Sequence, residues 1–577
     1  MKFKLIILCV LLSMSTLAVF PMFNSPFLHL MHDQIQAERV FEMARAVSYG
    51  QFPVRFVQDL GYGYGYPLFN YYAPFPYYFG VFVLFFVSDL ILATKLMIVF
   101  GFAAASYAMY TLGARLWGPS GGILSSMLYL LAPYHAVQLY VRGSIGELYS
   151  YAVLPFIVLG IYELWNSKPK TRYIALGTLS LAVMISSHTL SLIMFFFLFG
   201  LYMIFVFTYA LRKRDVKLIY RNIIFVTISL CMSAFYWIPA VTELNQIQLS
   251  TSTGNDVDFR THFKNLTQLW TSPWGYGGSA STPDKDGMSF MIGKISILIA
   301  SITILLSLYN LLIKKVKLTS KYKLIFVISV LFIFSTFLIT NMSFWVWTTV
   351  PFFNLIQFPW RFLMYASLFV SIIAGGIFSV LPKIINVRIR EYFTVSVLVI
   401  VCYMLLFPIK INSLKTKFFN PQGEYKLSST QISNQNHLRY DASKISDEFM
   451  PKNLERPKNQ SQSSTDATQC NVYCALKNIQ FTPDRYKFEV SVIESGYVYI
   501  EKTYYPNFEV TIDGNKSKVH IGVNSNLGVL VPKGEHTVEF LLKNTLIRNL
   551  SNTITVVTLV VLVCLYYKKI NLWKKTH

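Results

Sequence analysis

The chain has 577 residues, of which 54% are hydrophobic and only 14% are charged. Soluble globular domains carry about a quarter charged residues, so this composition, with a mean hydropathy of +0.45, excludes one large soluble domain and indicates a membrane protein. The formal net charge is +23, but most Lys and Arg residues stand in short clusters between apolar runs, as in cytoplasmic loops. The charge therefore does not point to a nucleic-acid partner.

Twelve apolar runs are candidates for membrane-spanning helices, which need roughly 20 apolar residues each. In chain order they are 5–23, 91–112, 121–138, 148–166, 173–188, 189–210, 222–241, 291–313, 324–341, 362–382, 392–410 and 550–567. The apolar stretch 76–88 is too short to span and is interpreted as a half-helix at the outer surface. The first run could be a signal peptide, but no small-residue cleavage site follows it, so a retained first helix is expected.

The basic residues set the expected orientation. With the N-terminus inside, every turn assigned to the cytoplasm is basic, as the positive-inside rule requires. Both termini are then cytoplasmic in the cell membrane. The segments expected outside are 24–90, 139–147, 242–290, 342–361 and 411–548.

Three regions follow from this arrangement. Residues 1–410 are expected to form a transmembrane domain with a long first external loop, 24–90. Residues 411–548 are expected to form a mainly β domain outside the cytoplasm. Residues 549–577 are the last helix and a basic cytoplasmic tail.

The region 475–545 is predicted to be a small β-sandwich. It contains alternating runs such as YKFEVSVI, and Asp513-Gly514 is a hairpin turn signal. Cys470 and Cys474 stand just before it. In an external domain a small disulfide loop is favoured over a metal site, because no His lies close by in the sequence.

The first external loop starts with His32 and Asp33, directly after the first apolar run. A carboxylate here, in a partly desolvated cleft, is suited to act as a general base. An amphipathic helix is predicted over 33–48, however, and Asp33 could equally be its N-cap. His32 and Arg39 are predicted to contribute to substrate or lipid-phosphate binding.

Four more residues near the external ends of helices are candidates for the same site. Arg142 and Glu147 form either a weak surface ion pair or, with Arg142 holding a phosphate, part of a binding cleft. His188 stands at the junction of two helices, where a lone histidine is usually structural. Arg361, in the sequence FPWRF, is suited to a lipid phosphate under an aromatic rim; in the alternative, the neighbouring aromatics are interfacial anchors.

The loop 242–290 is rich in Gly and Ser and is interpreted as a flap over a site. Its Asp256-x-Asp258 pair is a weak metal signal, and no metal ligands are assigned. No P-loop, HExxH, GxSxG or dinucleotide motif occurs, so an ATP-driven pump is unsupported. Few charges stand within the predicted spans, which favours chemistry at the outer face over transport through the middle.

An acidic residue after the first helix, a long first external loop and an aromatic–proline stretch before the second helix resemble the GT-C glycosyltransferases. The segments HDQIQAERVFEMARAVSYGQFPVRF, GYGYPLFNYYAPFPYY, APYHAVQLYVRGSIGE and FPWRF resemble a prokaryotic membrane family labelled "6-pyruvoyl-tetrahydropterin synthase-related". YYPNFEVTIDG and VPKGEHTVEFLLKNT resemble the external β domain and last helix of YfhO-like membrane proteins.

This resemblance implies an α-helical polytopic GT-C-like fold with Asp33 as the general base. Arg142, Glu147 and Arg361 would line the cleft. The implied reaction is inverting transfer of a sugar from a polyprenyl-phosphate-linked donor to a cell-surface glycan or lipid acceptor. Many GT-C enzymes use a divalent metal, but no second acidic ligand is assigned here. The alternative is a non-catalytic accessory protein or a lipid or glycan transporter that keeps the fold.

Overall fold

The structure is a computed structural model. It describes residues 2–29, 31–248, 258–381, 424–425 and 427–575.

The chain divides into two compact units. The first unit consists of Met1–Gln34, Lys95–Val226 and Gly254–Lys426. The second unit consists of Ile35–Thr94, Thr227–Thr253 and Leu427–His577. The first external loop is thus shared between them, with His32 and Asp33 in the first unit and Arg39 in the second.

Seven described helices are long and apolar enough to cross a membrane. They are Leu90–Trp117, Ile145–Leu164, Thr189–Lys213, Lys294–Leu312, Ser320–Ile339, Pro359–Val380 and Leu546–Leu565. The bent pair Val216–Met232 and Ala234–Thr242 is an eighth if it counts as one span. The protein is therefore a mostly helical polytopic membrane protein, as the sequence predicts.

Other predicted runs form shorter helices. Shorter apolar helices are Ile7–Phe23, Phe75–Leu84 and Thr171–Ile185, the second of which corresponds to the predicted half-helix. The run 121–138 is not continuous, because Pro119–Leu130 ends before a new short helix, Pro133–Val137. Proline cannot donate the backbone hydrogen bond that would continue a helix. The predicted span 392–410 lies outside the described residues.

The remaining helices are short or lie in the second unit. Those of the first unit are Leu266–Trp270 and Phe344–Thr349, whereas Leu363–Gly375 and Ile377–Val380 are helical parts of the span Pro359–Val380. Those of the second unit are Gln36–Ser48, Leu68–Tyr71 and Ser429–Ile432. In the first unit a two-residue strand, Leu28–His29, pairs antiparallel with Glu424–Tyr425.

The second unit contains nine strands in two sheets before the last helix. They are β1 (Thr468–Cys470), β2 (Cys474–Phe481), β3 (Arg485–Val492), β4 (Gly496–Thr503), β5 (Phe508–Ile512), β6 (Asn515–Ser517), β7 (His520–Ile521), β8 (Asn526–Val531) and β9 (Gly534–Leu542). The sheet orders are β1-β4-β8-β7 and β2-β3-β9-β5-β6, and the neighbouring strands pair antiparallel.

The two sheets share one apolar core, which confirms the predicted β-sandwich. Every second residue of β3 is buried, from Tyr486 to Val492, and Val498 and Ile500 of β4 join the same cluster. This is the period of two expected for strands with one face on a core. A disulfide joins Cys470 at the end of β1 to Cys474 at the start of β2.

Candidate functional site

The segment 139–147, which the sequence predicts to be the second external loop, makes a sharp turn at Gly143. The helix Pro133–Val137 continues as a single π-helical segment, Gln138–Arg142, which ends at Gly143 with φ 63°. Glycine adopts such φ values without a steric penalty. A Cβ here would also lie only 2.2 Å from the Sδ atom of Met31. The close approach of the two external loops therefore depends on this glycine.

Main-chain hydrogen bonds join the two loops beside this turn. The His32 N–H donates to the carbonyl oxygen of Val141 at 2.9 Å, and the Asp33 N–H donates to that of Arg142 at 3.0 Å. The half-buried Asp33 carboxylate also interacts electrostatically with Arg142 and Arg361. The structure thus brings together four of the predicted site residues: His32, Asp33, Arg142 and Arg361.

Asp33 does not have the capping role that the sequence left open. The helix begins at Gln36, with Ile35 in the N-cap position and no side-chain cap hydrogen bond. The expectation of a helix from residue 33 is wrong by three residues. Asp33 is therefore not the N-cap residue of this helix.

Arg142 and Glu147 form a buried ion pair, so the weak surface pair, one of the two alternatives left open, is wrong. Arg142 Nη1 donates to Glu147 Oε2 at 2.7 Å, and the Glu147 side chain is fully buried. Glu147 Oε1 accepts hydrogen bonds from the Tyr134 hydroxyl and from Gln138 Nε2. Burial disfavours the charged guanidinium, but Glu147, Tyr134 and Asp33 together outweigh burial, so the pKa of Arg142 is raised. Arg142 is held as a cation in one orientation.

Aromatic rings enclose both arginines. The Arg142 guanidinium lies 4.8 Å from the Trp360 ring centroid, and Trp360 stacks on Phe358 at 5.0 Å. Arg361 is buried and donates from Nη1 to the carbonyl oxygen of Ile356 at 2.9 Å. Its Nε atom is buried and has no hydrogen-bond partner among the described residues. Trp360 is 2% exposed, so it is not the interfacial anchor of the alternative interpretation.

His188 has a structural contact. It is the N-cap of Thr189–Lys213, and its Nδ1 accepts a hydrogen bond from the Ser191 N–H at 3.1 Å. It also interacts electrostatically with Glu147. These contacts favour a structural role for His188 next to the Arg142–Glu147 ion pair.

Arg39 belongs to the second unit. Its guanidinium donates to Ser446 Oγ at 2.9 Å and to the Tyr77 hydroxyl at 3.4 Å, and it lies 4.0 Å from the Tyr72 ring centroid. An ion pair of 3.5 Å joins it to Glu448. The contacts described for Arg39 are thus with side chains of its own unit.

A cavity of about 570 Å³ lies in the first unit. Four of its lining residues come from segments predicted to carry the site: His32, Arg142, Phe358 and Trp360. The others come from the loop that follows the undescribed residues 249–257, chiefly Thr261, His262, Ser279 and Ser281. Sequence reasoning missed these individual residues. The Gly- and Ser-rich composition of the loop was the available signal.

Metal ligands remain unassigned. Among the residues that the structure describes, no group of three or more His, Cys, Asp and Glu is placed to hold a metal ion. Asp256 of the Asp-x-Asp pair lies outside the described residues. Asp258 pairs with Arg260 at 3.1 Å.

Comparison with known proteins gives one family match. The sequence model of a membrane-protein family described as "6-pyruvoyl-tetrahydropterin synthase related domain" matches residues 69–413, more than half of the chain. A search of curated proteins finds no match.

Solved structures of two GT-C glycosyltransferases are similar to the chain. The Archaeoglobus fulgidus oligosaccharyltransferase tethered to an acceptor peptide is 14% identical, with a TM-score of 0.43; the alignment covers 74% of this chain and 56% of that one. ArnT from Cupriavidus metallidurans bound to undecaprenyl phosphate is 10% identical, with a TM-score of 0.33 and coverage of 65% and 77%. This chain therefore spans about half the length of the oligosaccharyltransferase. Likeness at these scores carries no argument about activity.

Proposed function

The chain belongs to the 6-pyruvoyl-tetrahydropterin synthase related family of membrane proteins, and from the cavity of its first unit we propose that it is a membrane glycosyltransferase. Its donor is a sugar on a polyprenyl phosphate, and its acceptor is a hydroxyl of a surface glycan or lipid. The observation that carries the proposal is the main-chain hydrogen bond between Asp33 and Arg142, since Arg142 lines the cavity. A carboxylate and a cation are thereby held at one polar site.

Arg142 is suited to bind the donor phosphate. Both hydrogen bonds described for its side chain come from Nη1, which leaves its other N–H groups for an anionic ligand. The buried charges of Arg142 and Arg361 face the buried carboxylate of Glu147 and the half-buried carboxylate of Asp33. Arginine binds phosphate oxygens through two parallel hydrogen bonds. The remaining N–H groups of Arg142 are therefore suited to a phosphate group.

The reaction follows from this arrangement. Asp33 removes the proton of the acceptor hydroxyl while the hydroxyl oxygen attacks the anomeric carbon of the donor sugar. The bond between that carbon and the phosphate oxygen breaks, and its electron pair leaves with the polyprenyl phosphate. Arg142 and Arg361 stabilise the charge that develops on the leaving phosphate. Attack from the face opposite the phosphate inverts the anomeric configuration.

An external location is part of the proposal. Two observations support it: the basic clusters alternate along the chain as the positive-inside rule requires, and a disulfide joins Cys470 to Cys474. Disulfides persist in oxidising compartments. Nucleotide sugars are absent outside the cytoplasm, which makes a lipid-linked donor necessary.

The test compares lipid-linked sugars and surface glycans by mass spectrometry. The strains lack the protein or carry wild type, Asp33→Asn or the exposed-site control Asp284→Asn at equal expression. We expect deletion to change one glycan and to accumulate its lipid-linked donor. Wild type and Asp284→Asn restore the glycan, whereas Asp33→Asn does not.

Two results would oppose the proposal. If Asp33→Asn fully restores the glycan, Asp33 is not the general base, and a non-catalytic accessory protein is favoured. Accumulation of a finished glycan inside the cell, rather than of its lipid-linked sugar, would favour a transporter.

A further inference from the structure

Behind the loop that lines the cavity is a buried ion pair that the proposed reaction does not use. Lys264 Nζ lies 2.6 Å from Asp286 Oδ1 and 2.8 Å from Oδ2. Both side chains are only 1% exposed. Burying two charges is costly unless further hydrogen bonds satisfy them, so the other partners of this pair show what it holds in place.

Those partners include both backbone polar groups of Ala280, a residue that lines the cavity. Lys264 Nζ donates to the Ala280 carbonyl oxygen at 2.9 Å, and the Ala280 N–H donates to Asp286 Oδ1 at 2.7 Å. Gln268 Nε2 donates to Asp286 Oδ2 at 2.6 Å. The ion pair therefore fixes the main chain between Ser279 and Ser281, two hydroxyl-bearing lining residues.

The two ends of this loop segment are also closed against each other. The Gly277 N–H donates to the Gly287 carbonyl oxygen at 2.8 Å, and the Gly287 N–H donates to that of Gly278 at 2.9 Å. A Cβ on Gly287 would lie 2.4 Å from the Gly277 Cα atom. The segment 277–287 is thus a closed loop with the Lys264–Asp286 pair at its base. We call its cavity-lining part, residues 278–281, the sugar loop.

The sugar loop contributes hydroxyls, not charges, to the cavity. Ser279 and Ser281 of the loop and the neighbouring Thr261 provide hydroxyl groups, and His262 Nδ1 lies 3.0 Å from Ser279 Oγ. Among the described residues that line the cavity, Arg142 is the only Asp, Glu, Lys or Arg. Hydroxyl groups both donate and accept hydrogen bonds, as the hydroxyls of a sugar require.

We propose that Lys264 and Asp286 are positioning residues that preset the sugar loop to bind an uncharged donor sugar. This inference rests on the proposed function, with the donor phosphate at Arg142. An amino or carboxylate substituent on the part of the sugar that faces the sugar loop would meet hydroxyl groups and no opposite charge among the described loop residues that line the cavity, which is costly. Neutral hydroxyls find partners there, and the stacked Phe358–Trp360 pair offers an apolar surface for the ring.

The test measures binding to the purified full-length protein in lipid nanodiscs. The probes are farnesyl phosphate alone and farnesyl phosphate linked to glucose, galactose or mannose, to glucuronic acid, and to glucosamine. For wild type we expect the best neutral glycolipid to bind at least tenfold more tightly than farnesyl phosphate. We expect the two charged glycolipids to show no such gain.

The variants separate the sugar from the phosphate. Asp286→Asn and Lys264→Met are expected to lose the tenfold sugar gain and to keep the affinity for farnesyl phosphate. Asp286→Glu, which keeps the charge, is expected to retain part of the gain in affinity that the sugar provides. The exposed neighbours supply matched controls, because Asp284→Asn and Lys285→Met make the same chemical changes and should bind as wild type does.

The outcomes distinguish the positioning role of Lys264 and Asp286 from the proposed glycosyltransferase function. If no probe binds to wild type, the proposed function fails. If farnesyl phosphate binds but Asp286→Asn and Lys264→Met keep the full sugar gain, the positioning role fails and the proposed function stands. If a charged glycolipid binds more tightly than the neutral ones, the proposal that the donor sugar is uncharged is wrong.

A folding defect in the ion-pair variants would show as loss of farnesyl phosphate binding as well. Ser279→Ala and Ser281→Ala then decide, since each removes only a hydroxyl. Loss of the sugar gain in these variants supports the sugar loop as the binding surface. An unchanged gain in both would overturn it.

Discussion

The Asp33 N–H donates a hydrogen bond of 3.0 Å to the carbonyl oxygen of Arg142. The bond fixes the main chain of the candidate base to that of the candidate phosphate ligand, although 109 positions separate them in the sequence. The two side chains can change independently while this main-chain contact remains. That separation makes their roles testable one at a time.

Asp33→Asn is expected to lower kcat by about 10²–10⁴-fold, the usual contribution of a general base. The amide has nearly the same shape as the carboxylate but does not accept the acceptor's proton, so KM should change little. Steady-state assays with a farnesyl-phosphate glycolipid donor would measure both constants, with Asp284→Asn as control. A rise in KM at unchanged kcat would instead assign Asp33 to substrate binding.

Arg142→Gln is expected to destabilise the protein by about 3–5 kcal/mol, because it leaves the buried Glu147 carboxylate without its cation. The double variant Arg142→Gln/Glu147→Gln should recover most of that loss, since neither charge is then buried alone. Thermal unfolding in detergent would compare the three proteins. Phosphate binding should remain lost in both variants, and recovery of binding in the double variant would contradict the role given to Arg142.

Gly143→Ala is expected to destabilise the junction of residues 31–33 with 141–143 more than the same change at Gly50. Both glycines have positive φ, and Gly50 has nothing within 4 Å of a Cβ. Gly50→Ala therefore measures the backbone strain without a clash, about 1–2 kcal/mol. The clash with Met31 should add about 1–3 kcal/mol at Gly143. Equal losses in thermal unfolding would mean that Met31 moves aside freely.

Reduction is expected to make the β-sandwich reactive to a membrane-impermeant maleimide in intact cells. Cys470 and Cys474 are disulfide-bonded and are expected to lie outside. The Cys470→Ser/Cys474→Ser variant controls for the other cysteines and should show no labelling that depends on reduction. Labelling that needs permeabilised cells would invert the expected orientation. Loss of this disulfide should lower the free energy of unfolding by about 2 kcal/mol, because the loop that it closes is short.

The sandwich and the membrane helices were predictable because their signals are local. A strand on a core alternates with a period of two, as β3 does from Tyr486 onward. A lipid-exposed span must satisfy its backbone internally and stay apolar for roughly 20 residues. The site was harder to predict. Asp33 lies three residues before the start of a helix, and in the sequence this position resembles that of an N-cap. Only the start of the helix at Gln36 separates the two roles.

The sequence by itself therefore determined the class of protein, the presence of several apolar helices and the sandwich. Tertiary structure decided which charges are buried and with whom. Arg142 and Glu147 have the spacing of a weak surface pair, and Lys264 and Asp286, 22 positions apart, have no pattern that joins them. The free energy of a charge depends on its burial and on the groups packed around it, and those come from distant parts of the chain.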